Sequence, residues 1–523
     1  MKPKESAESG PAGAPLGSGL RLHDTRTGRL TELVPREPGV VRMYTCGPTV
    51  YDYTHIGHLR PALVADVLAR QLRARGHRVQ WVSNFTDVDD KIIARAAAEG
   101  VPPAELSARY VDDYLANMLA LGIDGVERYA RVSEHIPEVL AMVEGLVARG
   151  YAYARDGDVY FAVESKEDYG KLSGRALADM QAGARVAVDE RKRHPMDFAL
   201  WKAAKPGEPA WASPWGPGRP GWHIECSAMS LRYLGMDFDV HGGGDDLIFP
   251  HHENELAQSE AFAGTQPFVR IWMHNAMVQI DHEKMSKSLG NFVRLRELVR
   301  HHPAGALRLF VLSTHYRKPL QYSPQAVEEA QRAWGRLVQA RRAWAAAGRA
   351  AGLPAAPPEA AARIEAVRLE PEPAAASAPQ ASPPDLEDVA ARATAAFGAA
   401  LADDLNTAGA LGHLFDLVRA GNAALARGGD VSAALRALVS CGDILGLWEG
   451  METASPAAGE GRAAGLVELL LGVRTEARAY RDWAMADRIR DGLGRLGVIV
   501  EDTPSGSRWQ WADAEAPGPG VRA

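Results

Sequence analysis

Two short segments carry side chains suited to a phosphorylated substrate. In the first, Pro48 to His58, the residues His55 and His58 flank Ile56-Gly57 as an HxGH tetrapeptide, between an apolar stretch and the start of a helical pattern. Free main-chain N–H groups and the helix dipole at such a junction favour anionic phosphate. Gly57 permits close approach of a nucleotide, and both imidazoles can donate to phosphoryl oxygens. A polar loop that only caps a core helix would have the same composition. The second segment, Lys284-Met285-Ser286-Lys287-Ser288-Leu289-Gly290-Asn291, sets two lysines at i, i+3 in a Ser/Gly loop. A mobile loop of this kind can close two point charges on a triphosphate and stabilise charge that develops in phosphoryl or nucleotidyl transfer. Alone it reads as solvated surface; together the two segments favour the nucleotide.

Cysteine is scarce. There are 3 in 523 residues, Cys46, Cys226 and Cys441, too widely separated for a disulfide scaffold or a CxxC pair. Whatever they do depends on tertiary folding. His251 and Glu255 lie at i, i+4, so on a helix both side chains emerge from one face.

The elements that must position these groups follow a Rossmann-like order. Val40 to Cys46 is an apolar, β-branched stretch fit for a buried strand, broken by Gly47-Pro48. Leu63, Val64, Val67, Leu68 and Leu72 then recur at helical spacing up to Gly76, and Val79 to Phe85 reads as the next strand. This is a right-handed strand–helix–strand crossover in a parallel sheet. Before it, a short strand pair is expected around the turn Asp24 to Gly28. Residues 89–149 read as helical, while 150–222, rich in aromatics, Gly and Pro, reads as an insertion with a strand at Val159 to Val163. Strands return at Phe238 to His241, ahead of Gly242-Gly243-Gly244, and at Phe268 to Val278; Cys46 ends the first strand, and Cys226 to Glu255 brackets the later one. From about 292 the pattern is helical, and a last unit near 464–515 carries an Arg-rich amphipathic helix followed by strands at Val498 to Glu501 and Arg508 to Trp511.

A net charge of −7 gives the chain no general attraction for polyanions, so any RNA surface must be local. The start of the chain lacks an apolar signal region and no run is long enough to span a membrane, which points to the cytosol.

The sequence resembles the bacterial-type cysteinyl-tRNA synthetases, members of the class I aminoacyl-tRNA synthetases. The resemblance is carried by the HxGH and Lys284–Asn291 elements, by Met43-Tyr44-Thr45-Cys46-Gly47-Pro48-Thr49, Asn84-Phe85-Thr86-Asp87-Val88-Asp89-Asp90-Lys91-Ile92 and Gly221-Trp222-His223-Ile224-Glu225-Cys226-Ser227, by His241-Gly242-Gly243-Gly244, Pro250-His251-His252-Glu253-Asn254-Glu255 and Ser313-Thr314-His315-Tyr316-Arg317, and by Asp482 to Asp491. It covers about 20–512. It implies an α/β fold in which a class I synthetase Rossmann-like parallel sheet is split by an inserted domain and followed by an α-helical bundle and a small anticodon-binding domain. The expected organisation is a disordered tail at 1–19, the first catalytic half at 20–149, a connective insertion at 150–222 and the second half with the lysine loop at 223–291. The helical bundle follows at 292–347 and 385–460, divided by a Pro/Ala-rich linker at 348–384, and the anticodon-binding domain closes the chain at 461–523.

The resemblance implies a cysteine–tRNA ligase that makes cysteinyl-adenylate from L-cysteine and ATP and passes cysteine to the terminal adenosine of tRNA(Cys), as a cytoplasmic monomer without a membrane partner. His55, His58, Lys284 and Lys287 would be catalytic, and Thr49, His55, Gly57, His58 and Lys287 would hold ATP with Mg2+. Gly47, Thr86, Trp222 and His241 would contact the substrate. One zinc ion (Zn2+) per subunit would sit on Cys46, Cys226, His251 and Glu255, a set of the type zinc takes. Zinc there would select a thiol over a hydroxyl, because soft sulfur is the better partner, and Glu255 would be the ligand that yields to the substrate thiolate. His252, Glu253 and Cys441 map to no ligand. Asp87, Asp89 and Asp90 read as capping and hydrogen-bonding carboxylates. Arg474 to Arg495, with Tyr480 and Trp483 interleaved and Trp509 and Trp511 downstream, would stack on unpaired anticodon bases. The competing readings are a ligase that hands cysteine to an amino sugar, and a zinc hydrolase or non-catalytic RNA-binding relative.

Overall fold

The computed structural model describes residues 19–177, 190–280, 283–284, 292–350, 385–449, 451, 467, 470–475, 477–478, 482–495, 498–503 and 506–511. The tail through 18, most of the lysine loop with Lys287, the Pro/Ala-rich stretch 351–384, and Tyr480 lie outside the described residues. The chain divides into two compact units, Met1–Glu449 and Gly450–Ala523.

The first unit is organised on a five-stranded parallel sheet. Its strand order is Val269–Asn275, Phe238–Gly244, Val40–Thr45, Arg78–Phe85 and Arg128–Arg131. The helix Ile56–Ala74 crosses between Val40–Thr45 and Arg78–Phe85, burying Leu59, Leu63, Val67, Leu68 and Leu72. Met43 on the first strand faces Val240 and Trp81 as pairing partners, so the two halves of the sheet meet at the strand that leads to Cys46.

Three expectations about elements change. The helical reading of 89–149 is interrupted by Arg128–Arg131, which pairs with Val82 to Phe85 at the sheet edge; four residues with charged ends and one buried Ala130 leave no alternation to detect. The glycines after His241 do not break their strand, because Gly242, Gly243 and Gly244 remain paired with Met273, His274 and Asn275. The run to Val278 is two strands in different sheets, the second being Val278–Ile280, which pairs with Glu283–Lys284 and Leu320–Tyr322.

The insertion forms a four-stranded antiparallel sheet, Ala152–Arg155, Asp158–Phe161, Phe198–Ala203 and Gly218–Pro220. The chain leaves it at Gly221, where a Cβ would sit 1.9 Å from the Ala199 carbonyl oxygen, and enters the helix Trp222–Leu234. Helices Pro324–Ala350, Leu386–Ala402, Thr407–Ala426 and Ser432–Leu445 pack around Leu337, Trp344, Phe397, Leu411, Leu414 and Leu438. A hairpin, Arg21–Asp24 with Arg29–Glu32, precedes the sheet as the turn residues imply. In the second unit the helix Trp483–Arg495 and the hairpin of Val498–Thr503 with Gly506–Trp511 share a small core of Val467, Leu471, Leu493 and Val498. No described helix is long and apolar enough to cross a membrane.

Candidate active site

The site lies where the parallel strands end. Cys46 follows Val40–Thr45 directly and its N–H donates to the Gly242 carbonyl, 3.1 Å. Cys226 comes from the middle of the helix Trp222–Leu234, while Glu255 lies in the first turn of Glu253–Ala263 behind a π-helical turn, Ile248–His252. These connections bring Cys46 Sγ to 3.6 Å from Cys226 Sγ and 3.5 Å from Glu255 Oε1, with His251 Nε2 2.9 Å from the same oxygen. The donor atoms of Cys46, Cys226, His251 and Glu255 all lie within 4.8 Å of one another, a cluster able to hold a metal ion.

A second set, Cys46, His241, His252 and Glu255, meets the same test. His252 Nε2 is 3.2 Å from Cys46 Sγ, and its Nδ1 continues through His274 Nε2 at 2.7 Å to Thr25 Oγ1, 2.7 Å beyond. His241 has no exposed surface; it stacks on Trp272 and holds Glu255 Oε2 at 3.0 Å, so it stands beneath the cluster. Burial alone would raise the Glu255 carboxyl, but His241 and His251 outweigh it and bring it down to about 2. Burial would lower His251, yet Glu255 and Cys226 carry it up to about 10. Hydrogen bonding from Cys46 draws Cys226 down to about 6, while burial and its neighbour push Cys46 well up.

Trp222 is 39% exposed and stacks on His251 at 4.4 Å, so it forms a wall over the cluster. Thr86 is buried, its N–H on the Pro48 carbonyl and its hydroxyl on Glu225 Oε2 at 2.8 Å; burial pushes the Glu225 carboxyl well up. Gly47 donates to Asn84 Oδ1, 2.9 Å, and a Cβ there would lie 1.6 Å from the Asn84 main-chain oxygen. No side chain fits. Thr49 bridges to Thr86 as a parallel pair.

The histidines of the HxGH element make a reciprocal cap. Gly57 N–H donates to His55 Nδ1 at 3.1 Å, and His55 N–H to His58 Nδ1 at 3.3 Å. Each Nδ1 is thereby an acceptor, which puts the ring proton on Nε2 as a donor. The rings stack at 3.6 Å, and Phe292, just past the lysine loop, meets His55 edge-on at 4.9 Å. Beside them Ile56 N–H donates to the Val293 carbonyl and Leu295 N–H to the Thr54 carbonyl. Lys284 ends the short strand Glu283–Lys284 and pairs with Gln279.

Other expected carboxylates take structural parts. Asp89 caps the helix Asp90–Glu99, Asp87 accepts from Ser133, and Asp90 pairs with Lys202 and Arg219. Cys441 is buried among bundle helices. In the second unit Arg474 is buried and donates to Asp502 at 2.7 and 2.9 Å, so it is occupied in the fold, whereas Trp483 is 57% exposed.

Residues 32–332 match the model described as tRNA synthetases class I (C) catalytic domain, 396–449 the DALR domain, and 465–511 the cysteinyl-tRNA ligase anticodon binding domain. A cysteine–tRNA ligase of Heliobacterium modesticaldum is 48% identical over 94% of this chain and 100% of its own length. The chain belongs to the cysteine–tRNA ligase family. Another cysteine–tRNA ligase, from Alkalilimnicola ehrlichii, is 49% identical over 94% of this chain and 99% of its own. Among solved structures, Mycobacterium tuberculosis methionyl-tRNA synthetase covers 78% of this chain and 90% of its own at 17% identity and a TM-score of 0.53. An Agrobacterium radiobacter leucyl-tRNA synthetase in a tRNA complex covers 79% and 84% at 13% identity and a TM-score of 0.55. These two show that this cysteine–tRNA ligase family member has the class I synthetase fold. Within the family chain, the contacts of His252, His274, Thr25, Asn84 and Glu225 escape sequence reasoning. Asn84, Glu225 and His252 carried a signal, their places in segments that bear the family resemblance, whereas His274 and Thr25 carried none.

Proposed function

We propose that this protein activates L-cysteine with ATP to cysteinyl-adenylate and then transfers cysteine to the 3'-terminal adenosine of tRNA(Cys). The observation that carries the reading is the meeting of two cysteine sulfurs with His251 and Glu255 next to the capped HxGH helix. Zinc fits this donor set: sulfurs bound at about 2.3 Å to one tetrahedral ion stand about 3.8 Å apart, and a sulfur and a carboxylate oxygen about 3.5 Å apart. The corresponding separations here are 3.6 and 3.5 Å. Zinc, when bound, supplies a Lewis acid that favours a thiolate over a hydroxyl.

Cys46, Cys226, His251 and Glu255 would hold the ion, and His241 orients the Glu255 carboxylate from beneath. Trp222 covers the amino-acid pocket while Thr86 and Gly47 shape its floor. His55 and His58 offer Nε2–H donors to the phosphates at a helix N-terminus, where the dipole adds to them. Lys284 and Lys287 supply positive charge to the triphosphate, and Mg2+ accompanies ATP. The cysteine carboxylate attacks the α-phosphate, pyrophosphate leaves, and no side chain acts as a nucleophile. The second unit reads the anticodon, and the exposure of Trp483 supports stacking of its ring on unpaired bases. The reading includes a cytoplasmic monomer and the division 20–149, 150–222, 223–291, 292–347 with 385–460, and 461–523.

Cysteine-dependent exchange of pyrophosphate into ATP, lost after chelation and restored by zinc, together with charging of tRNA(Cys), is the expected result. Exchange without charging would assign the chain to the amino-sugar ligases, and no exchange would remove the ligase reading.

A further inference from the structure

The segment Ser313–Lys318 joins two parts of the first unit that are distant in sequence. One partner is Arg60, 1% exposed and two residues past His58 on the helix Ile56–Ala74. Its Nη1 donates to the carbonyls of Ala276 and Met277, 2.9 and 3.0 Å, and its Nη2 to those of His315, 3.1 Å, and Lys318. Four main-chain oxygens thus ring one guanidinium. Burying a cation among carbonyls is costly, and burial draws this one down to about 10. The Ala276–Met277 pair that it grips leads straight into Val278–Ile280 and so to Lys284. The same pair is tied to the segment again, by Ala276 N–H on the Tyr316 carbonyl, 2.9 Å, and Leu320 N–H on the Met277 carbonyl, 3.1 Å.

The other partner is Asp404, 4% exposed, at the corner between the helices Leu386–Ala402 and Thr407–Ala426. It adopts φ 58, and its neighbour Leu405 φ 50, conformations that non-glycine residues take only when surroundings enforce them. Its carboxylate accepts from Tyr316 Oη–H, from Arg317 Nε–H at 2.6 Å and from His23 N–H at 2.8 Å. Thr407 adds a bond to the Leu312 carbonyl, 2.7 Å.

We propose that Ser313–Lys318 is a positioning element for adenylate formation, clamped by Arg60 to the helix that carries His55 and His58 and by Asp404 to the corner of the helical bundle. The inference rests on the assignment of those histidines and of Lys284 to ATP. Through the clamp, the histidine helix and the strand pair leading to Lys284 share one frame, and the bundle steadies that frame from outside. Arg60 and Asp404 are buried and spend their bonds on protein groups, so both act as positioning residues. A displacement of about 1 Å in such a frame costs up to about 100-fold in rate.

The test is cysteine-dependent pyrophosphate exchange by the full-length zinc-loaded protein and by Arg60→Lys, Asp404→Asn, Tyr316→Phe and the double variant Arg60→Lys with Asp404→Asn. Lysine keeps the charge but cannot span four carbonyls. Arg60→Lys should lose about 10- to 100-fold in kcat, with KM for cysteine and zinc content unchanged. Asp404→Asn and Tyr316→Phe should lose less, and the double variant should fall short of the product of the single effects. Tyr316→Phe removes one hydroxyl and serves if the buried-charge variants do not fold. Wild-type kcat in the folded variants, or single effects that simply multiply, would overturn the inference. Absence of exchange by the parent protein would instead overturn the ligase reading on which it rests.

Discussion

The two donor sets at the cluster share Cys46 and Glu255, so one ion must take either Cys226 with His251 or His241 with His252. His252 is engaged through its other nitrogen with His274, and His241 is stacked on Trp272 and bonded to Glu255. These two imidazoles form a support, whereas His251 stacks on Trp222 and, with Cys226, completes a softer donor set. X-ray absorption at the zinc edge of the loaded protein should count two sulfur scatterers at rest, three with bound cysteine and two with serine. One sulfur at rest would select the other set, and no gain with cysteine would remove the role in recognition. The family resemblance picks out Cys46, Cys226, His251 and Glu255, whose types suit zinc and whose places flank strands of one sheet. The Thr25–His274–His252 line is not legible that way. It depends on strand register, which sets His241 beside Trp272 and Gly243 beside His274.

The insertion is attached to the catalytic sheet by carboxylates of the Glu253–Ala263 helix. Glu253, fully buried, accepts main-chain N–H groups of Gly170, Leu172 and Ser173, and Glu260 receives Lys166 and Lys171, which also bind Asp168. Burial works against ionisation of Asp168, but its bonds to the two lysines outweigh this and hold it below the usual carboxylate range. A carboxyl lowered on folding adds stability above its unfolded value of about 3.9 and loses it as pH falls through the native one. Asp168 is more than one third exposed, so Asp168→Asn should cost less than about 1 kcal/mol at pH 7. The urea-midpoint gap between parent and variant should close on acidification; a gap that holds constant down to pH 3 contradicts the assignment. Residue types could not forecast this attachment, since Glu253 beside His252 reads as one more acidic residue on a helix. The strand–helix–strand core was legible because its burial follows simple periods, whereas the edge strand Arg128–Arg131 has only one deeply buried residue.

Taken as a molecule, the protein keeps the cluster, the HxGH cap and the Arg60–Asp404 clamp inside Met1–Glu449, and the exposed Trp483 in the other unit. A chain ending at Glu449 should retain cysteine-dependent pyrophosphate exchange within about threefold and lose most tRNA charging, the separation expected when a compact unit carries its own core. Equal loss of both activities would show that the second unit serves the chemistry as well. The capping loop also shows why two readings of HxGH were open in the sequence: the same two imidazoles close the helix and present Nε2 donors, so neither reading excludes the other. Gly47 has a consequence on the timescale of genes. Every amino-acid replacement reachable by one nucleotide change in a glycine codon adds a Cβ, and at this position the Cβ meets main chain, which no compensating side-chain change elsewhere can trim. Drift at the edge of the pocket is therefore blocked when the chain folds, before any amino acid has been chosen.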